Sequence, residues 1–245
     1  MRLFGLIGHP VAHSNSARYF GQKFREEGLS DCRYDLYDLD SIEALDDLLE
    51  AHPDLCGLNV TIPYKRAVIP LLDTLSDEAA AIGAVNCIRR REGRLEGFNT
   101  DVTGLRGALG EFLGAFEPEH ALVLGTGGAS QAVQYVLAER GIAYDLVSRS
   151  PFRGNYTYDN LPCEAVAQSH LIINATPLGT WPETDSSPRI PYAYVSPAHY
   201  LFDLVYNPPL TEFLDFGRQR GARISNGERM FRLQAEAAWK IWNGQ

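Results

Sequence analysis

An apolar segment that leads directly into a glycine-rich turn restricts the fold of this chain more than any other feature. Residues 121–124 have the composition of a buried strand, and Gly125-Thr126-Gly127-Gly128-Ala129 follows them without a spacer. A strand, such a turn and a helix start form the first part of a βαβ unit, in which the glycines permit the tight turn and the close approach of a pyrophosphate. The free N–H groups at the start of the helix attract the phosphate charge. The segment therefore predicts a dinucleotide site, with a glycine turn that binds no ligand as the alternative.

The end of the next predicted strand indicates which dinucleotide would bind. This strand covers residues 144–147, and Ser148-Arg149-Ser150-Pro151-Phe152-Arg153 follows it. Enzymes that use NAD place a carboxylate here for the ribose 2′-hydroxyl, whereas arginine suits the 2′-phosphate of NADP. The segment contains no acidic residue, so Arg149 and Arg153, with the hydroxyls of Ser148 and Ser150, predict an NADP site. Solvated surface arginines are the alternative.

The alternation of strand, turn and helix extends over the rest of the 245 residues, a length that suits one or two domains. It predicts an α/β fold with mainly parallel sheets. Further strands are predicted at residues 3–7, 34–37, 57–62, 171–174, 201–205 and 223–225, and a hairpin at 84–90 and 94–98. Helices are predicted at about residues 16–28, 77–82, 103–116, 129–140 and 228–242, and one more opens at Asp40-x-x-Glu43, which resembles a capping box. The pattern restarts after residue 101, so we expect two domains with a boundary there.

Charge and cysteine content exclude several classes of partner. The chain has 22 basic and 31 acidic residues and a net charge of −9, which disfavours nucleic acids and anionic membranes. No apolar run approaches the roughly 18 residues of a membrane span. The cysteines form no C-x-x-C pair, which predicts neither a zinc site nor disulfides and suits the cytoplasm. We expect a small-molecule substrate, and the acidic surface is compatible with a monomer or a homodimer.

The segment after the first predicted strand carries hydroxyl and imidazole groups. Ser14 and Ser16 flank a helix start, where hydroxyls and backbone N–H groups suit a carboxylate. The alternative is that Ser16 serves only as an N-cap. His9 and His13 have the spacing of two metal ligands on a helix, but Pro10 interrupts that helix and no third ligand is evident. The sequence therefore predicts no metal.

Two further clusters of polar residues follow strands in the first half of the chain. Asn59-Val60-Thr61-Ile62-Pro63-Tyr64-Lys65 ends the third strand, and a parallel strand delivers its last residues to the ligand crevice. Lys65 would there donate or accept a proton, and an ordinary surface lysine is the alternative. Residues 83–86 and 98–101 place Asn86 and Asp101 where their polar groups suit substrate hydroxyls. Turn capping by Asp101 is the alternative.

Taken together, these motifs resemble the shikimate dehydrogenase family from the first strand to the last helix. The matching segments are NVTIPYK at 59–65, GAVN at 83–86, NTD at 99–101, GTGGA at 125–129, NATPLG at 174–179, DLVYNP at 203–208 and NGERMFRLQ at 226–234. The resemblance implies a substrate domain at 1–101, on which the final helix at about 227–245 packs back. It also implies a Rossmann-like NADP domain at 102–226 and an active-site cleft between the two domains. The implied reaction is the reversible NADPH-dependent reduction of 3-dehydroshikimate to shikimate, in the chorismate and aromatic amino-acid pathway.

The resemblance also assigns roles to individual residues. It implies that Lys65 and Asp101 form the catalytic pair. The implied substrate contacts are Ser14, Ser16, Asn59, Thr61, Asn86, Asp101, Tyr206 and Gln234. The implied cofactor contacts are Gly125, Thr126, Gly127, Gly128 and Ala129 at the pyrophosphate, Ser148, Arg149, Ser150 and Arg153 at the 2′-phosphate, and Thr176, Leu204 and Gly227 at the nicotinamide.

Departures from the family pattern leave two other functions open. Gln131 stands where the phosphate loop usually has arginine, and Ser148-Arg149-Ser150 replaces Asn-Arg-Thr. An NAD-preferring quinate/shikimate dehydrogenase is therefore one alternative. A non-catalytic ligand sensor on the same fold is the other, because a fold alone does not prove a function. The presence of both Lys65 and Asp101 counts against a sensor, which has no need of proton transfer.

Overall fold

The computed structural model describes residues 1–12 and 14–245, and His13 lies outside the described residues. The contacts within the chain define two compact units. The first unit comprises Met1–Thr100 and Ala235–Gln245, and the second comprises Asp101–Gln234. The division falls between Thr100 and Asp101, and it assigns residues 227–234 to the second unit rather than to the first.

The first unit contains a mixed six-stranded sheet. Its strands are β1 (Arg2–Gly8), β2 (Cys32–Asp38), β3 (Leu55–Val60), β4 (Thr74–Leu75), β5 (Cys87–Arg91) and β6 (Arg94–Phe98), in the order β2-β1-β3-β5-β6-β4. Strand β1 pairs in parallel with β2 and β3, and β5 pairs antiparallel with β3 and β6. The helices are α1 (Ser16–Glu26), α2 (Leu45–Ala51) and α3 (Asp77–Ile82).

Turn chemistry explains several boundaries in the first unit. The β5–β6 hairpin turns at Glu92 and Gly93, both at positive φ (53° and 78°), which matches the twist of the strands. Helix α3 begins at a cap in which the Ser76 Oγ accepts a hydrogen bond from the Ala79 N–H, 3.2 Å away. The predicted capping box at residues 40–43 is wrong. Ser41 is the cap residue instead, its hydroxyl accepts a hydrogen bond from the Glu43 N–H, and one 3₁₀ turn at Ile42–Ala44 precedes α2.

The second unit contains a six-stranded parallel sheet with helices around it. Its strands are β7 (His120–Leu124), β8 (Ala143–Ser148), β9 (Tyr156–Thr157), β10 (Leu171–Asn174), β11 (Tyr200–Asp203) and β12 (Arg223–Ser225), in the order β12-β11-β10-β7-β8-β9. The helices are α4 (Thr100–Leu113), α5 (Gly128–Glu139), α6 (Cys163–Gln168), α7 (Glu212–Gln219) and α8 (Glu228–Trp242). Thr100 of α4 and the residues of α8 from Ala235 onward belong to the first unit. Strand β7 lies between β8 and β10, so the strand order reverses at the β7–β10 pair. This is the order of dinucleotide-binding sheets, which open their ligand crevice at the reversal.

The core of each unit follows from the sequence patterns. Strands β7 and β10 are buried along nearly their whole length, as expected for parallel strands covered on both faces. In the first unit, the C-terminal segment Ala235–Gln245 supplies Trp242, whose ring lies 4.9 Å from that of Phe4 and 5.3 Å from that of Phe20. No helix among the described residues has both the length and the apolar character that a membrane crossing requires.

Candidate active site

A cavity of about 520 Å³ opens at the carboxyl ends of β7, β8 and β10 in the second unit. The loops that follow these three strands form most of its wall, and Tyr158, which follows β9, completes it. The wall residues are Gly125, Thr126, Gly127, Ser148, Arg149, Ser150, Arg153, Tyr158, Ala175, Thr176, Pro177 and Leu178. The cavity thus lies at the reversal of strand order, where a parallel sheet of this type binds its ligand.

The glycine loop has the local geometry that a phosphate ligand requires. Gly125 has a φ of 103°, which favours glycine, and a Cβ there would lie 2.9 Å from the Thr176 Cγ2. A Cβ at Gly127 or Gly128 would meet no atom within 4 Å, so space is open beside these residues. Helix α5 begins at Gly128, and its cap residue Gly127 has no side chain to accept the first N–H groups. A pyrophosphate fits this loop, because its oxygens can accept those hydrogen bonds.

The segment that carries Arg149 and Arg153 contacts the glycine loop through a buried serine, Ser148. The Ser148 hydroxyl lies 3.2 Å from the Thr126 Oγ1 and accepts a hydrogen bond from the Ser150 N–H at 3.1 Å. Arg149 and Arg153 are exposed and line the cavity. Within the described part of the chain, neither guanidinium forms a salt bridge with a carboxylate. Two uncompensated cations at the cavity wall suit the 2′-phosphate of NADP.

Tyr158 belongs to this wall although the sequence analysis did not predict it. Strand β9 pairs with β8 through Val147 and Tyr156, and this pairing brings Tyr158 to the cavity. A strand of two residues has no periodicity to detect, so only tertiary pairing could reveal this position. The Tyr158 hydroxyl is buried without a hydrogen-bond partner among the described residues. Burial raises the pKa of Tyr158 to about 12, against the opposing effect of Arg149.

Thr176, at the other side of the cavity, is the first member of a buried polar network. The Asn174 Oδ1 accepts hydrogen bonds from the Thr176 hydroxyl at 2.6 Å and from its N–H at 3.0 Å. The Asn174 Nδ2 donates to the Asp203 Oδ1 at 2.9 Å. The same Asp203 oxygen accepts from the Val205 N–H at 3.0 Å, and its Oδ2 accepts from the Thr211 hydroxyl at 2.6 Å. Burial raises the pKa of Asp203 to about 6, although these three hydrogen bonds act to lower it.

The raised pKa of Asp203 predicts a pH-dependent stability. Between its ordinary pKa of 3.8 and about 6, the folded chain keeps a proton on Asp203 that the unfolded chain releases. The contribution of this group to stability is therefore complete at low pH and is lost as the pH rises through 6. Relative to Asp203→Asn, the wild type should lose roughly 2–3 kcal/mol of unfolding free energy between about pH 4 and 7. Urea titrations of both proteins measure this difference, and a difference that does not change with pH would contradict the assignment.

In the first unit, the predicted substrate residues gather at one edge of the sheet. Strands β1 and β3 are parallel neighbours, so the segments that carry Ser14, Ser16, Thr61 and Lys65 leave the sheet at the same edge. The Val60 N–H donates to the Asn86 carbonyl at 2.9 Å, which brings Asn86 to that edge as well. Separate segments of sequence thus supply hydroxyl, amide and amine groups in one place.

The serine pair forms a local hydrogen-bonded turn. The Ser14 hydroxyl donates to the Ser16 Oγ at 3.2 Å and accepts from the Ser16 N–H at the same distance. Ser16 is buried and is the first residue of α1, whereas Asn15 occupies the cap position without a side-chain cap bond. The interpretation of Ser16 as only an N-cap is therefore wrong. The cap position leaves backbone N–H groups of α1 available for an anion.

Asn59 and Asn86 are buried and already hydrogen bonded within the first unit. The Asn59 Oδ1 accepts from the Tyr34 hydroxyl at 2.8 Å, and its Nδ2 donates to the Asn86 carbonyl at 3.3 Å. The Asn86 Oδ1 accepts from the Thr100 N–H at 2.6 Å, and its Nδ2 donates to the Thr100 hydroxyl at 3.0 Å. Thr61 and Lys65 are half-buried. The Lys65 carbonyl accepts from the Val85 N–H at 2.7 Å, which links the NVTIPYK and GAVN segments.

The remaining predicted residues lie in the second unit. Asp101 is half-buried in the first turn of α4, and Tyr206 stacks on Phe231 with ring centroids 4.9 Å apart. Gln234 lies on α8 against α4, where a Cβ at Gly104 would come within 3.0 Å of the Gln234 Cβ.

Two residues assigned to the nicotinamide, Leu204 and Gly227, lie outside the cavity wall, whereas Thr176 forms part of it. A Cβ at Gly227 would overlap the Leu204 carbonyl, so close backbone packing explains this glycine. Among the described residues, no three His, Cys, Asp or Glu side chains are grouped to hold a metal ion.

Comparison with known proteins gives the family. The profile of the shikimate dehydrogenase substrate binding domain matches residues 6–88. A protein of Caldanaerobacter subterraneus subsp. tengcongensis named shikimate dehydrogenase (NADP(+)) is 33% identical over 261 residues, which cover 100% of this chain and 92% of the relative. The chain belongs to the shikimate dehydrogenase family. Another relative of the same name, from Thermus thermophilus, is 36% identical, with 100% and 93% of the two chains covered.

Solved structures of the shikimate dehydrogenase family have the same fold. Shikimate 5-dehydrogenase from Thermus thermophilus, in complex with NADP(H) and shikimate, superposes with a TM-score of 0.88 at 34% identity, covering 100% of this chain and 94% of that one. Quinate dehydrogenase from Corynebacterium glutamicum, in complex with NAD, gives 0.88 at 28% identity, with the same coverage of both chains. The predicted family and α/β fold class are confirmed. The predicted enzyme class, an NADP-dependent dehydrogenase, is the one that the names of the relatives carry.

Proposed function

We propose that this chain catalyses the reversible reduction of 3-dehydroshikimate to shikimate with NADPH. The observation that carries the proposal is the cavity of the second unit, in which an open glycine loop and two uncompensated arginines share one wall. This combination suits a dinucleotide with an additional phosphate. Curated relatives over the full length of the chain are named for the same reaction.

The cofactor would be held from both sides of the cavity. The N–H groups from Gly127 to Ala129 would bind the pyrophosphate, and Arg149 and Arg153 the 2′-phosphate. When it is bound, NADPH supplies the hydride that the carbonyl carbon of the substrate accepts. Thr176 would form part of the wall toward the nicotinamide, with Leu204 and Gly227 shaping the backbone behind it.

Lys65 would supply the proton. In the reductive direction its ammonium group donates a proton to the carbonyl oxygen and stabilises the charge that develops there. In the oxidative direction its neutral amine accepts the hydroxyl proton. Ser14 and Ser16 would bind the substrate carboxylate through hydroxyl and N–H groups. Thr61, Asn86 and Asp101 would hold the ring hydroxyls, and Tyr206 and Gln234 would add further contacts.

A quinate dehydrogenase that uses NAD is the second candidate, because a structural relative carries that name at a TM-score of 0.88. The test is turnover of purified protein with shikimate or quinate and with NADP or NAD, in four combinations. We expect turnover with shikimate and NADP. A preference for quinate and NAD would favour the second candidate, and no turnover in any combination would favour a ligand sensor. The cytoplasmic location, the place in the aromatic pathway and the monomeric or dimeric state stay predictions.

Arg149 and Arg153 should determine the choice of cofactor. Replacing both with glutamine removes two charge-assisted hydrogen bonds to the 2′-phosphate, each worth about 1.5–3 kcal/mol. We therefore expect kcat/KM for NADP to fall by roughly 10²-fold and kcat/KM for NAD to change by less than about threefold. Arg189→Gln is the control, because this exposed arginine of the second unit does not line the cavity. Equal losses with both cofactors would show that the arginines do not read the 2′-phosphate.

A further inference from the structure

A buried chain of hydrogen bonds links Asp203 to the wall of the cofactor cavity. Asp203, at the end of β11, has no exposed surface and does not itself line the cavity. It contacts Asn174, at the end of the adjacent strand β10, and Asn174 contacts Thr176 in the wall. The sequence motifs that contain these residues, NATPLG and DLVYNP, thus meet in one polar network.

We infer that Asp203 is a positioning residue for the cofactor, which holds the Thr176 side of the cavity in place through Asn174. The inference rests on the proposed function, since it takes the cavity to receive NADP. It assigns Asp203 no contact with the cofactor or the substrate.

The orientation of the Asn174 amide is the first step of the argument. An asparagine side chain has one donating and one accepting end. Asp203 accepts from the Asn174 Nδ2, so the Asn174 Oδ1 must face the opposite way, where it accepts both bonds from Thr176. The Thr176 N–H can only donate, so it also favours the oxygen end of the amide. The carboxylate fixes the other end, because the Asp203 Oδ1 accepts from the Asn174 Nδ2. Loss of the acid would leave the buried Asn174 Nδ2 without this acceptor and would loosen the amide that Thr176 contacts.

The fixed position of Asp203 is the second step. Its two oxygens accept from three donors on three different segments, which are Asn174, the Val205 N–H and the Thr211 hydroxyl. Thr211 is also the cap of α7, and Leu204 and Val205 begin the loop after β11. A carboxylate has enough acceptor sites for all three donors. These bonds add to the backbone bond from the Leu204 N–H to the Asn174 carbonyl at 3.0 Å.

The sensitivity of the cavity to Thr176 is the third step. A Cβ at Gly125 would lie 2.9 Å from the Thr176 Cγ2, so this methyl group packs closely against the glycine loop. A shift of Thr176 would change the wall on the β10 side. Arg149 and Arg153 follow β8 on the other side of β7, and their segment is held separately through Ser148. Loss of Asp203 should therefore affect one end of the cofactor site and spare the other.

Two ligands that differ in one half test the inference. NADP occupies the whole site, whereas 2′,5′-ADP carries the phosphorylated adenosine without nicotinamide. For Asp203→Ala in the full chain, we expect the Kd of NADP to rise about tenfold and that of 2′,5′-ADP to stay within about twofold of wild type, both by calorimetry. Asp203→Asn keeps an oxygen for Asn174 and Val205, so it should return the Kd of NADP to within about twofold of wild type. If Asp203→Ala does not fold, Asp203→Ser serves in its place, because its shorter side chain cannot reach all three donors.

His199→Ala is the matched control for a merely structural role. His199 is buried just before β11, at the opposite end of the strand from Asp203, and its Nε2 lies 3.0 Å from the Val166 carbonyl. Its loss also removes a buried polar contact from the second unit, but both ligands should keep their Kd. Equal weakening of both ligands by Asp203→Ala, no weakening of either, or the same pattern in His199→Ala would overturn the inference. Failure of the wild type to oxidise shikimate would contradict the proposed function, whereas these binding measurements would still decide the role of Asp203.

Discussion

Replacement of Lys65 by alanine is expected to lower kcat for shikimate oxidation by on the order of 10³-fold, with KM changed by less than about threefold. General acid–base catalysis contributes about 10²–10⁴-fold in enzymes, and the ammonium group also stabilises the developing alkoxide. These interactions strengthen in the transition state, so their loss falls on kcat. Steady-state rates with NADP as cofactor measure both constants.

The surroundings of Lys65 differ from those of an exposed surface lysine. Lys65 is half-buried at the edge where β1 and β3 end, and the Val85 N–H holds its backbone carbonyl at 2.7 Å. Its position is therefore set by the two segments that also supply Thr61 and Asn86. Lys240, exposed near the end of α8, provides the matched control. Lys240→Ala should keep wild-type kcat.

Lys65→Arg separates charge from proton transfer. Arginine keeps the positive charge but does not lose a proton near neutral pH, so it cannot act as the base in the oxidative direction. We expect KM for shikimate close to that of the wild type and kcat as low as in Lys65→Ala. If Lys65→Arg or Lys65→Ala turned over at the wild-type rate, Lys65 would not be the proton-transferring residue.

Features that depend on local sequence could be predicted. The hairpin at Gly93, the end of α3 at Gly83 and the glycine loop at Gly125 all need positive φ, and the sequence has glycine at each of these positions. The segment that carries Arg149 and Arg153 could also be predicted, because a dinucleotide site of this kind is built from loops that directly follow strands.

Features that depend on tertiary pairing could not be predicted. Strands β4 and β9 have two residues each and exist only through their partners β6 and β8. Helix α6 spans six residues and, unlike the equally short α3, has no serine cap before it and no glycine after it. Sequence patterns did not reveal Tyr158 at the cavity, because it reaches that position only through the pairing of β9. Asp203 did leave a signal: it is an acid that directly follows the apolar residues of a buried strand.

Replacement of Trp242 by alanine is expected to reduce the free energy of unfolding by about 4 kcal/mol. The indole is almost completely buried among the rings of Phe4, Phe20 and Tyr34, and its Nε1–H donates to the Ile88 carbonyl at 3.0 Å. Its removal would leave a large void and a buried carbonyl without its donor. Denaturant unfolding of the full chain measures the loss. Trp181→Ala is the control, since Trp181 is 51% exposed and should cost far less.

A substitution at Gly57 tests the position of the Trp242 indole independently. A Cβ built on Gly57 would overlap the Trp242 ring, so Gly57→Ala should destabilise the wild type through a direct clash. In the Trp242→Ala background the added methyl group meets open space, and the same substitution should cost little or even fill part of the void. The two losses should therefore not add in a double-mutant cycle. Strict additivity would mean that the Trp242 ring does not lie against Gly57.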